Sequence, residues 1–226
     1  MINLERFDRI APNIWTSLPP EARGATYDKM AAGYDAVVGN GVYNQLVWGC
    51  AKANYARAAS EFLMRAGDGP LIDFGCGSCV FTADSCRGNE DRIVLFDRSL
   101  GMLSRAAARL PKGNFLQGDA LNPPFESGSF AGAMSWGMLH IFGTRARYLE
   151  QLARLLRPGA SVAVATLVLT ERRTGNMMLR MLHRNGEAAL PETTTEVTAA
   201  FVAPFELEST ERCGNMLFLT GRKRIL

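Results

Sequence analysis

From residue 70 onward, short apolar runs alternate with segments whose apolar residues recur every three to four positions. The runs "LIDF" (71–74), "RIVLFD" (92–97), "NFLQGD" (114–119), "FAGAMSW" (130–136) and "SVAVATLVL" (161–169) show little polar alternation, which predicts five strands buried on both faces. Between them, Leu103, Ala106, Ala107 and Leu110 keep a helical period behind Ser99, a suitable N-cap, and Pro111 stops it. A second stripe of Leu149, Leu152, Ala153 and Leu156 ends at Arg157-Pro158-Gly159. "FELESTERC" and "NMLFLTGRK" flank Gly214-Asn215 and predict a hairpin. Alternating strands and helices imply right-handed crossovers. The expected fold is therefore α/β, a doubly wound, mostly parallel seven-stranded sheet with a C-terminal antiparallel hairpin.

Upstream, Tyr43, Leu46, Val47, Cys50, Tyr55, Ala58, Ala59 and Phe62 predict one long amphipathic helix. "YDKMAAGYDAVVGNGVYN" predicts an earlier helix broken at Gly39-Asn40-Gly41. These pieces form an N-terminal helical cover, residues 1–66, over the C-terminal edge of the sheet, where open α/β proteins bind ligands. The core is 67–226. Within it, residues 171–191 carry Met177, Met178, Leu179, Met181 and Leu182 without strand alternation and read as a substrate lid, and "ETTTEVTAAFVAPF" starts a further helix.

Composition narrows the function classes. With 47% hydrophobic and 21% charged residues, neither disorder nor a membrane protein is indicated. The net charge of +3 comes from scattered basic residues, apart from Arg222-Lys223-Arg224 and the arginines of 145–157, which disfavours a nucleic-acid partner. "MINLERFDRI" has no apolar core of a secretion signal, and the apolar run at 162–169 is too short for a membrane span. Five cysteines without framework spacing suit a reducing compartment, so a cytoplasmic location is expected; a homodimer stays open.

The chemistry concentrates in "LIDFGCGSC", residues 71–79. Gly75 and Gly77, directly after a strand, let the backbone approach a ligand where a Cβ would collide. Dinucleotides and S-adenosylmethionine both use such a turn. A dinucleotide turn wants a third glycine where this chain has Val80. Asp73 would repel a pyrophosphate but pair with a ligand ammonium, which favours an amino-acid-bearing ligand. Asp97, ending the second strand, suits ribose hydroxyls of either class. Asp119, with the backbone of Ala120 behind it, suits an adenine edge. Three acids at three successive strand ends are the strongest constellation in the chain.

With those residues in view, the sequence resembles the class I S-adenosylmethionine-dependent methyltransferases, in particular the small-molecule branch similar to quinone-biosynthesis enzymes. "LIDFGCGSC" resembles that family's first motif, "LFDRSLGML" its second, "GDALNPPFESGSFAGAMSWGMLHIF" its adenine acid and fourth strand, "LARLLRPGA" the turn before strand five, and "YDKMAAGYD" its cover helix. The resemblance runs from about Tyr27 to Pro158. It implies that Asp73, Gly75 and Gly77, with Cys76 between them, line the methionine end of the cofactor. Asp97 would hold the ribose, Arg98 would lie beside the adenine, and Asp119 and Ala120 would recognise its edge. Ser135 would sit near the sulfonium, and Tyr27 and Tyr34 would close over the site. Cys79 stands where the family commonly has glycine.

The implied reaction is methyl transfer to a small-molecule acceptor by in-line displacement, which rests on positioning and water exclusion; a base is optional. His140, in "SWGMLHIF", is the candidate base, although a structural histidine would look the same; His183 reads as a solvated lid residue. Trp136 and Phe142 read either as substrate walls or as core, and Met177, Met178 and Met181 either as core or as the lining of an apolar pocket for a lipophilic or aromatic acceptor. Cys76 and Cys79 lack the second cysteine pair of a metal site, so no metal is expected. A nicotinamide-dependent oxidoreductase and a catalytically silent cofactor-binding or scaffold protein remain the alternatives.

Overall fold

The computed structural model describes residues 2–24 and 26–225, without the side chains of residues 26, 27 and 29–32. All seven expected strands form: β3 (Leu71–Phe74), β4 (Ile93–Asp97), β5 (Asn114–Gln117), β6 (Phe130–Trp136), β7 (Leu156–Leu167), β8 (Phe205–Cys213) and β9 (Met216–Lys223). Two further short strands precede them, β1 (Asp8–Ala11) and β2 (Ile14–Thr16). The nine join in one sheet of order β1-β2-β5-β4-β3-β6-β7-β9-β8. Strands β2 to β7 are mutually parallel, whereas β9 runs antiparallel to β7 and β8, and β1 antiparallel to β2.

The helices are α1 (Thr26–Val38), α2 (Gly41–Tyr43), α3 (Lys52–Arg65), α4 (Ala83–Cys86), α5 (Leu100–Arg109), α6 (Arg145–Leu155), α7 (Arg173–Arg184) and α8 (Thr194–Val202). Local chemistry explains their starts. The Ser99 hydroxyl accepts from the Met102 amide at the head of α5, and Thr193 with Glu196 closes a reciprocal capping box on α8. The sheet is covered on both sides. Ile72, Phe74, Val94 and Phe96 pack with Tyr148, Leu149 and Leu152 of α6 and Phe201 of α8, while Leu71, Ile93, Leu95 and Met134 pack with Phe62 of α3 and Leu103 of α5. Alternate residues of one strand thus serve opposite layers.

Three expectations are corrected. The N-terminal segment is not helical throughout: "DRIA" and "IWT" form strands because β2 finds a parallel partner in β5, about a hundred residues downstream, a pairing no local period announces. The long helix expected over residues 43–62 is broken, with a π-helical turn over Asn44–Trp48, Gly49 in the left-handed region (φ 68°), and a restart at Lys52. The β8–β9 turn wedges in at that break, where the Asn215 amide donates to the Trp48 carbonyl at 2.8 Å. Finally, β7 starts at Leu156, ahead of the Pro158-Gly159 turn, which becomes an irregularity inside the strand.

Candidate functional site

The order β5-β4-β3 followed by β6-β7 makes β3 the switch point of the sheet, where crossovers leave in opposite directions and where open α/β proteins bind their ligands. The turn after β3 sits there. Gly75 (φ 85°) and Gly77 (φ 54°) are both left-handed, and the Gly75 and Cys76 amides both donate to the Phe96 carbonyl of β4, at 2.8 and 3.0 Å. Cys79 has φ 54°, the one left-handed non-glycine among the described residues, at the position where the resembling family carries glycine. Its side chain is buried and faces the Cys76 thiol; burial, then that neighbour, pushes the Cys76 pKa well up, so the thiol stays protonated.

The three acids lie in a row at the ends of β3, β4 and β5, but their surroundings differ. Asp97 accepts from the Gly77 amide through one oxygen (2.8 Å) and from the Ser99 amide through the other (2.9 Å), so it ties the glycine turn to the head of α5. Burial raises its pKa, and the Ser99, Gly77 and Arg98 amides offset part of the rise. Asp119 is exposed and accepts from the Leu121 amide at 2.8 Å, with buried Ala120 beside it. Asp73 is fully buried, and neither of its oxygens has a hydrogen-bond partner among the described residues. Burial, then the Asp97 charge, drives its pKa well above the ordinary carboxylate value. A buried acceptor without a donor is rare, and one at the switch point of an open α/β sheet fits a cationic ligand group.

The other predicted residues are placed as follows. The Arg98 guanidinium donates to the Ala22 carbonyl at 2.5 Å and so pins residues 18–23 over the ends of β4 and β5. Gln117, buried and unflagged by sequence, reinforces this by donating to the Arg23 and Arg98 carbonyls. The Tyr27 side chain lies outside the described residues; Tyr34 is half-buried on α1. The Ser135 hydroxyl is buried and lies 2.7 Å from the Tyr148 hydroxyl. His140 Nδ1 lies 3.3 Å from the Thr166 hydroxyl, and burial, then Arg145, lowers its pKa to about 4. It is therefore neutral near pH 7. Met177 and Met181 are exposed and do not belong to the buried core.

Comparison with known proteins now bears on this geometry. Residues 71–159, which contain the glycine turn and all three acids, match the family model described as "Methyltransferase domain". A demethylmenaquinone methyltransferase of Paenarthrobacter aurescens is 38% identical over 96 residues, 42% of this chain and 37% of the relative. A 2-phytyl-1,4-naphtoquinone methyltransferase of Synechococcus elongatus is 29% identical over 156 residues, 65% of this chain and 64% of the relative. The chain thus spans less than two thirds of the length of either relative. Residues 71–159 are thus similar to a methyltransferase domain, and the fold that holds them is the class I, Rossmann-like one. The same fold is seen in the [4+2]-cyclase SpnF, with a TM-score of 0.68 at 18% identity over 91% of this chain and 97% of SpnF.

Several residues that hold this fold together at the strand ends escaped sequence reading. Tyr148 on α6 donates to the Phe74 carbonyl at 2.8 Å while meeting Ser135, so one phenol joins the ends of β3 and β6 where they diverge. Its signal was available: Tyr148 falls four residues before Leu152 on the same stripe. Phe142 stacks on it with ring centroids 4.9 Å apart, which makes Phe142 a packing residue. On α1, Asp28 accepts from the Ser99 hydroxyl and the Gly101 amide, and Asp35, seven residues on, accepts from Ser78, Arg105 and Arg109. Burial acts to raise the Asp35 pKa, but the bonds from Ser78 and Arg109 outweigh it and the net shift is downward. The two acids of "YDKMAAGYD" therefore dock α1 on α5 and on the glycine turn.

Proposed function

We propose that the chain transfers the methyl group of S-adenosylmethionine to a small-molecule acceptor of lipophilic or aromatic character. The observation that carries this reading is Asp73, whose buried, unpartnered carboxylate directly precedes the glycine turn. The bound cofactor supplies a methyl group already activated on a sulfonium. Asp73 binds the ammonium of the methionine end, Gly75 and Gly77 let that end lie against the backbone, and Asp97 takes the ribose hydroxyls on the lone pairs its amide donors leave free. Asp119 and the Ala120 amide fix the adenine edge. The segment through residue 66 acts as cover, residues 67–226 as the cofactor core and 171–191 as the acceptor lid, in a cytoplasmic protein. The quinone-ring substrates in the relatives' names support an aromatic acceptor.

Catalysis on this reading is positioning and water exclusion, for which well-oriented reactants gain roughly 7–11 kcal/mol. His140, neutral but with its pKa lowered to about 4, is a weak base, and it serves an acceptor whose proton is already acidic. The test is calorimetric titration with S-adenosylmethionine and with NAD, followed by transfer of labelled methyl to a metabolite extract. Binding of the first alone, with label entering an organic-soluble product, is expected. Binding of NAD alone would overturn the assignment.

A further inference from the structure

α7, sequence "RTGNMMLRMLHR", contains no acid. Its inner face is fixed, since Leu179, Met178 and Leu182 pack in the cluster formed by Trp48, Tyr55 and Phe218. Its outer face is unusual. Arg173, Met177, Arg180, Met181 and Arg184 follow a helical period and are all exposed, Met177 at 67% and Met181 at 46%. Among the described residues, Arg173, Arg180 and Arg184 have no ion-pair or side-chain hydrogen-bond partner. The nearest acids along the chain are engaged, Glu171 by Arg212 and Glu187 by Asn185. The adjoining turn adds Val42 and Leu46, each 67% exposed, and Arg172 joins the two elements by donating to the Leu46 carbonyl at 3.2 Å. Beyond α7 the chain returns to the segment after β6, where the Ala189 amide donates to the His140 carbonyl at 2.8 Å.

We infer that this face docks on an anionic lipid surface, with Met177, Met181, Val42 and Leu46 entering the headgroup boundary and the three arginines meeting lipid phosphates. Charge complementarity selects this occupant. Unpaired arginines alternating with exposed thioethers on an acid-free helix match the basic, amphipathic pattern of helices that lie in a membrane interface. The location gives docking a purpose that rests on the function proposed above: a lipophilic acceptor could pass from the bilayer to the segment after β6, beside His140, without crossing water. No described helix is long and apolar enough to cross a membrane, so the attachment is peripheral.

The experiment is co-sedimentation of the full chain with vesicles of phosphatidylglycerol and phosphatidylcholine in equal parts, against phosphatidylcholine alone. Binding to the anionic vesicles only, weakening as salt rises, is expected. Arg180→Gln/Arg184→Gln should lower partitioning by about 30-fold and Met177→Ser/Met181→Ser by about tenfold, with thermal unfolding and S-adenosylmethionine affinity unchanged. Absence of binding, or equal binding to both vesicles, would overturn the inference. A dimer in sedimentation equilibrium that the methionine variant abolishes, without vesicle binding, would overturn it too and assign the face to self-association. Vesicle binding by a chain that proves to have no affinity for S-adenosylmethionine supports this surface and sinks only the proposed function.

Discussion

On the β4–β5 side of the central strand, carboxylates meet main-chain amides: Asp97 holds Gly77 and Ser99, Asp119 holds Leu121, and Asp28 holds Gly101. On the β6–β7 side, the strand ends present side chains bonded to other side chains, Ser135 to Tyr148 and His140 to Thr166, and the segments beyond them are helix and turn rather than strand. The first side is fixed by backbone geometry, which changes little when side chains change. The second can be rebuilt by substitution. On the function proposed above, a sheet divided in this way would keep one ligand constant and let the other vary.

The sharpest test of the contrast lies between two carboxylates one strand apart. Asp97→Ala strands two amide donors and releases the glycine turn from α5, so it should cost about 3 kcal/mol of stability in urea denaturation, each bond to a charged group being worth about 1.5–3. It should also weaken S-adenosylmethionine about 100-fold or more by calorimetry. Unchanged stability would show that the turn is held by the Phe96 carbonyl alone.

Asp73→Asn should act in the opposite direction on stability. The carboxylate has no partner among the described residues, so a neutral isostere should raise stability near neutral pH by about 1–2 kcal/mol while lowering cofactor affinity about tenfold. The sign follows from proton binding. Folding raises the Asp73 pKa, so the folded chain holds a proton that the unfolded chain releases above pH 3.8, and the advantage of asparagine fades as pH falls through that raised value. A loss of stability on substitution would break the comparison, since it would show Asp73 to be satisfied without ligand.

How much of this was legible in the sequence depended on whether the cause was local. The strands "LIDF" and "FAGAMSW" are fully encoded by their own apolar runs, and the positions of Asp73, Asp97 and Asp119 at successive strand ends followed from that periodicity. The partners did not. Nothing near Asp97 announces that the Gly77 amide, twenty residues earlier, occupies one of its oxygens, or that Arg98 would reach back to Ala22. β1 and β2 escaped because strands of three or four residues are too short to show a period, and β2 takes its place in the sheet from the distant β5. Gly49 breaks the expected long helix because the β8–β9 turn fills the space there, a tertiary cause that overrides an unbroken apolar stripe. Cys79 was visible as a departure, yet only the backbone shows what it means, a buried side chain held at positive φ.

The acceptor side yields the smallest expected effect. Burial, then Arg145, lowers the His140 pKa from 6.5 to about 4, so between those values the unfolded chain binds a proton that the folded chain refuses. Its contribution to stability is therefore complete above pH 6.5 and is lost as pH falls toward about 4. Because the ring is only half-buried, the loss at about pH 5 should be on the order of 1 kcal/mol, below what the full shift would give. His140→Gln should keep cofactor affinity and remove that part of the acid sensitivity, read as the change in urea midpoint between about pH 8 and about pH 5. If the variant instead loses turnover at unchanged stability and cofactor affinity, the imidazole is taking the acceptor's proton. The acceptor side would then carry a fixed catalytic group, and its freedom to be rebuilt would be narrower than the contrast with Asp97 implies.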